Sequence, residues 1–153
     1  MKQFIKENVF SILFLSFMGL MLILLGRIMI QEFSVHATQK HLVSTQDRVR
    51  CLEHFGWQVD ITSEVEESAY IPEEFDNVWM RYNEIQRMSG FDLLPYRGKS
   101  ALRYTYRVLN FPGDPQVEAF VNLYVLDGNM IAGDCMTVAL DGFMLPVDIR
   151  SVP

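Results

Sequence analysis

Hydrophobic and polar positions change period along this chain, and each change marks an element. From Val9 to Leu25 there are seventeen residues without a charge, and only Ser11, Ser16 and Gly19 among them are not strongly apolar. An unbroken apolar run of this length predicts a membrane-spanning helix. Counted on through Ile30 it has twenty-two residues, or about 33 Å of helix against a hydrocarbon core of about 30 Å. Lys2 and Lys6 precede the run, which places the N-terminus in the cytoplasm and the rest of the chain outside. The alternative is a cleaved signal peptide, for which Val35-His36-Ala37 offers small residues at the right spacing.

After a stalk the pattern becomes amphipathic. Ser44 and Asp47 form a capping box in sequence, Val49, Leu52 and Phe55 share one helical face, and Gly56 stands where a helix ends. Trp57, Val59 and Ile61 then alternate with polar residues as in a half-buried strand, and residues 64–71 read as a second, edge strand. Pro72 opens a second helix with Phe75, Val78, Trp79, Tyr82 and Ile85 as its stripe, ending at Ser89-Gly90. Leu102 to Val108 and Val117 to Val125 alternate again, and Asp127-Gly128-Asn129 turns the chain into Met130 to Val138. A two-residue turn would set Val121 beside the Asp134 carboxylate. A three-residue loop instead pairs Val125 with Ile131, Leu123 with Gly133 and Val121 with Cys135 inside, and Asn122 with Asp134 outside, and is preferred.

The expected architecture is α+β: an N-terminal transmembrane helix followed by an antiparallel sheet with two helices packed on one face. The divisions are a cytoplasmic tail at 1–8, the transmembrane helix at 9–30, a stalk at 31–43 and an extracytoplasmic domain at 44–153.

Charge narrows the partners. Beyond Ala37 there are ten Lys or Arg against seventeen Asp or Glu, a net charge of −7, the wrong sign for nucleic acid or anionic lipid. The partners expected are therefore the membrane, through the single-pass anchor, and an envelope protein. No phosphate loop, nucleophile elbow or His/Cys ligand spacing is present in the sequence, so neither metal nor cofactor is expected. Cys51 and Cys135 both read as inward-facing, either as buried thiols or as a disulfide, which an exported location would allow. Asp92, Asp134 and Asp141 are candidate acid/base carboxylates, although Asp beside Gly more often caps backbone. In the preferred register Asn122 and Asp134 share the outer sheet face with Phe120 and Tyr124, within reach of Arg103 or Arg107, a set able to hold an anionic or aromatic group of a partner.

Several short motifs occur together: Phe55-Gly56-Trp57, Ile71-Pro72-Glu73-Glu74-Phe75, Tyr82-Asn83, Gly90-Phe91-Asp92-Leu93, Tyr96-Arg97-Gly98-Lys99, Arg103-Tyr104-Thr105-Tyr106, and Gly133-Asp134 with Leu140-Asp141-Gly142. As a set, between Asp47 and Leu145, the chain resembles an uncharacterised domain-of-unknown-function family of Gram-positive, Clostridia-type bacteria, in which a membrane segment precedes one small extracytoplasmic domain. The resemblance implies no activity and no catalytic residue. The function expected from the residues is a membrane-anchored, non-enzymatic binding or accessory module of the bacterial cell envelope. The alternatives are a small envelope hydrolase using Asp134 or Asp141, or a protease-regulating domain.

Overall fold

A computed structural model describes residues 13–27, 39–112, 117–138 and 142–151. The chain divides into two compact units, Met1–Ala37 and Thr38–Pro153.

In the first unit residues 13–27 are helical (α1). No helix among the described residues is long and apolar enough to cross a membrane. The transmembrane helix expected at 9–30 is therefore not found, and positions 9–12 and 28–30 lie outside the described residues.

The second unit is a five-stranded antiparallel sheet in the order β1-β2-β3-β4-β5, with helices α2 (Thr45–His54) and α3 (Asn77–Met88). The α2 N-terminus follows local chemistry. Ser44 accepts from the Asp47 amide while the Asp47 carboxylate accepts from the Ser44 amide, and Gly56 leaves the helix at φ 93°. The second helix starts later than Pro72 suggests. Ile71 is tied to β2 (Ser100–Val108) through its amide on the Lys99 carbonyl, and Asp76 is the cap, accepting from the Val78 and Trp79 amides at 3.0 and 2.9 Å.

The two strands expected between Trp57 and Ile71 are one, β1 (Val59–Tyr70), broken by a bulge between Asp60 and Val65. Asp60 makes the bulge: its carboxylate accepts from the Thr62 amide and hydroxyl, and its carbonyl accepts from Ser63 Oγ.

The hairpin of β3 (Ala119–Leu126) and β4 (Asn129–Thr137) has the expected inner register, with Val121 opposite Cys135, Asn122 opposite Asp134 and Leu123 opposite Gly133. The loop is different. Asp127 and Gly128, at φ 50° and 73°, form a two-residue turn with left-handed backbone at both positions, and Val125 pairs with Met130 in place of Ile131. A bulge that leaves Ile131 unpaired supplies the one-residue offset expected from a longer loop. Residues 39–43, expected as stalk, run beside this turn: the Leu42 amide donates to the Gly128 carbonyl and the Met130 amide to the Gln39 carbonyl, with Leu42 buried. Strand β5 (Met144–Pro146) closes the sheet against β4.

The helices lie on opposite faces, not on one. Cys51 and Leu52 of α2 and Phe55, which caps it, pack with Trp57 on Tyr104, Tyr106, Val121, Leu123 and Cys135. Trp79 and Tyr82 of α3, with Ile71 and Leu93, cover Ala101, Tyr124 and Ala132 on the other face. That second face is too apolar at Ala101, Tyr124 and Ala132 to be left wet, so it takes a helix of its own.

Gly133 marks the tightest point of the β3–β4 pair. A Cβ there would stand 2.6 Å from Met130 Cε and 2.9 Å from the Asn122 carbonyl oxygen, and the backbone atom cannot step aside. Gly133→Ala is expected to destabilise the domain by about 1–3 kcal/mol through overpacking. Urea denaturation of the purified variant checks this, and an unchanged midpoint would contradict it.

Candidate functional site

The polar residues that alternation places on the second sheet face form one hydrogen-bonded chain across three strands and a helix. The Thr105 hydroxyl on β2 donates to Asn122 Oδ1 at 2.6 Å, and Asn122 Nδ2 on β3 donates to Asp134 Oδ1 at 2.7 Å. The Tyr82 hydroxyl on α3 donates to Asp134 Oδ2 at 2.6 Å. Asp134 is 0% exposed and Asn122 is 3% exposed. Burial pushes the Asp134 carboxyl above the usual carboxylate range, and the two donors with the nearby Arg103 charge offset this only in part. Burial, then the Asp134 charge, holds Tyr82 well above the usual phenol value, so its hydroxyl stays a donor.

This arrangement changes the reading of the expected site. Asn122 and Asp134 are brought together, but beneath Tyr82 and away from solvent. The arginines go elsewhere: Arg103 pairs with Glu67 and Arg107 with Asp60 at 2.6 Å, both partners on β1. Tyr124 lies against Tyr82, ring centroids 6.3 Å apart, in the cluster under α3. Phe120, opposite Met136, is half-buried one row further along the strands. Asp141 lies outside the described residues. Cys51 and Cys135 are free and buried, and burial pushes both thiols up to about 12, far from thiolate at neutral pH. Among the described residues no group of three or more His, Cys, Asp or Glu could hold a metal.

Beside this polar chain lies an open feature. Between α3 and β5 there is an apolar groove of about 280 Å³, lined by Val78, Trp79, Arg81, Tyr82, Ile85 and Met144. Its rim is exposed: Val78 is 72% and Met144 41% accessible. The Tyr82 ring forms one wall while its hydroxyl holds Asp134 below. The stripe Val78, Trp79, Tyr82, Ile85 was visible in the sequence as core. Trp79 and Tyr82 do face the core, and the strip at Val78 and Ile85 forms the groove wall, with Met144 of β5 lining the groove across from it. Arg81 falls between the apolar positions of that stripe, and Met144 on a three-residue strand carries no periodic signal.

Two further polar sets fix the scaffold. Gln86, fully buried, accepts the Gly133 amide on Oε1 at 2.8 Å, and Asn83 accepts the Leu93 amide while donating to Asp92. Arg48, 4% exposed, bonds Glu64, Tyr106 and the Val43 carbonyl.

A family model described as a domain of unknown function, DUF4830, matches residues 51–134. No curated protein and no solved structure matches the chain. The matched segment begins within α2, contains α3 and the first three strands, and ends on Asp134, so it holds the whole chain from Thr105 to Tyr82 and five of the six groove residues. With more than half of its length matched, the chain belongs to the DUF4830 family of domains of unknown function.

Proposed function

We propose that this domain is a non-enzymatic binding module whose partner is a protein seated on the groove between α3 and β5. The observation that carries the reading is the groove itself, concave, apolar, open and rimmed by exposed Val78 and Met144. Its volume of about 280 Å³ lies below the roughly 300–1,000 Å³ of small-molecule pockets and suits one anchoring side chain of a protein partner. The Asp134 environment argues in the same direction. Both carboxylate oxygens already accept a hydrogen bond and the group is fully buried, so neither oxygen is presented to a substrate from solvent. That geometry fits a carboxylate that docks a helix better than the general base of a hydrolase. A protease-regulating domain would be one form of the same protein-binding reading.

The test uses a photocrosslinking residue at Val78, with Leu109, also largely exposed and outside the groove, as control. The expected outcome is one recurrent adduct from Val78 and none from Leu109, with the purified partner binding the native domain and losing at least tenfold in affinity to Val78→Asp. Equal labelling from both positions, or a partner indifferent to Val78→Asp, would sink the proposal.

A further inference from the structure

Resting on that reading, we infer that the groove takes an acidic segment: a large apolar side chain seated between α3 and β5, flanked by a carboxylate that pairs with Arg81. The arginines of this unit are otherwise committed. Arg48, Arg50, Arg87, Arg103, Arg107 and Arg150 each hold a carboxylate. Arg97 donates to the Leu94 carbonyl. Among the described arginines of the unit Arg81 alone makes neither an ion pair nor a hydrogen bond, and it is the one charged residue lining the groove. In a unit of net charge −7, a cation left unpaired beside an apolar cleft is a local exception to the field around it. A long Arg side chain lays its stem along the apolar wall and keeps its fork at the mouth, where it can grip a carboxylate with two parallel hydrogen bonds. The chemistry that satisfies both features at once is an apolar residue next to Asp or Glu. A basic segment would meet Arg81 with like charge, which makes the groove selective as well as adhesive.

Trp79 lines the groove, and the other tryptophan, Trp57, is fully buried in the opposite cluster, so intrinsic fluorescence reports on the site. The probes are three capped decapeptides of equal length with Glu-Phe-Glu, Lys-Phe-Lys or Glu-Ala-Glu at the centre. The expected result is a saturable change in Trp79 emission with the Glu-Phe-Glu peptide and at least tenfold weaker binding of the other two. Arg81→Glu should reverse the preference between the acidic and basic peptides while leaving the melting temperature unchanged, because Arg81 makes no contact that holds the fold. Raising the salt concentration should weaken only the acidic peptide. Equal binding of acidic and basic peptides, no saturable response to any of them, or an Arg81→Glu variant with the native preference would overturn the inference. If the peptides fail while the Val78 crosslink still yields a partner that depends on Val78, the binding-module reading stands and the acidic-segment inference alone falls.

Discussion

Arg48→Ala should unfold this domain more readily than substitution of the exposed groove residues Val78 or Arg81. Its guanidinium donates to Glu64 from Nε at 3.1 Å and from Nη2 at 2.9 Å, to Tyr106 Oη at 3.1 Å and to the Val43 carbonyl at 3.0 Å, and it lies 3.8 Å from the centre of the Tyr104 ring. Tyr106 also donates to Glu64. One side chain thus joins α2, the bulged edge strand and the segment that precedes α2. Truncating one partner of a buried ion pair costs roughly 3–5 kcal/mol, because the other charge is left buried and unpaired. Glu64 keeps 21% of its side chain accessible, so the lower end applies, about 3 kcal/mol, and the melting temperature should fall by about 10 °C or more. The acid limb carries a second signature. Burial works to raise the Glu64 pKa, but the Arg48 and Tyr106 hydrogen bonds outweigh it and hold the carboxyl below the usual value. A depressed carboxylate stabilises above its unfolded pKa, and that stability is lost as pH falls through the folded pKa. Arg48→Ala should therefore lose less on acidification than the native domain does. Replacing both partners, as Arg48→Met with Glu64→Gln, should recover much of the loss, since no charge is left stranded. Guanidinium denaturation at neutral and acid pH checks all three, and an Arg48→Ala midpoint within error of native would show that the network is surface decoration.

How much of this was legible depends on how far each signal reaches along the chain. The Ser44 and Asp47 box is visible because both partners sit within one helical turn, and the Asn122/Asp134 register because alternation runs unbroken along β3. The Arg48 network is invisible for the opposite reason. Glu64 is sixteen residues away and faces Arg48 only because the Asp60 bulge sets the facing of the strand. Asp127-Gly128 signals a two-residue turn, yet the register demands one more residue, and the chain meets both through a bulge at Ile131 that leaves no mark in the hydrophobic pattern. Placing both helices on one face follows from an element order without βαβ alternation, which leaves Phe120 and Tyr124 on an open outer face. In the fold Tyr124 lies under α3, and the helix brings Tyr82 onto Asp134. The groove could not be read at all, since it needs β5 placed beside α3, and nothing in three residues predicts where a short edge strand docks.

Asp134 gives the second large effect, and its sign depends on the replacement. Read as a surface residue, Asp134 could be truncated to Ala without loss. Buried as it is, Asp134→Ala strips the acceptor from both the Tyr82 hydroxyl and Asn122 Nδ2, and each donor left unsatisfied costs about 1–3 kcal/mol. The expected loss is about 2–5 kcal/mol, appearing as a lower denaturation midpoint. Asp134→Asn behaves differently, because the amide keeps the shape and an acceptor for Asn122 while its own N–H₂ can donate to a turned Tyr82 hydroxyl. Burial raises the folded pKa of Asp134 above its unfolded value, so the protonated form is the one the fold prefers. A raised carboxyl contributes stability that is fully present below the unfolded pKa and is lost as pH rises through the folded pKa. Within that window the native domain should lose stability with rising pH from this group, while Asp134→Asn has no such loss. The clean observable is the stability of Asp134→Asn minus that of the native domain, since the depressed carboxylates at Asp60, Glu64 and Asp148 contribute equally to both and cancel. That difference should rise from the acid side towards neutrality and then level off. A flat difference across the whole range would mean that Asp134 titrates in the fold as it does unfolded, and that Tyr82 and Asn122 hold the carboxylate charged without cost.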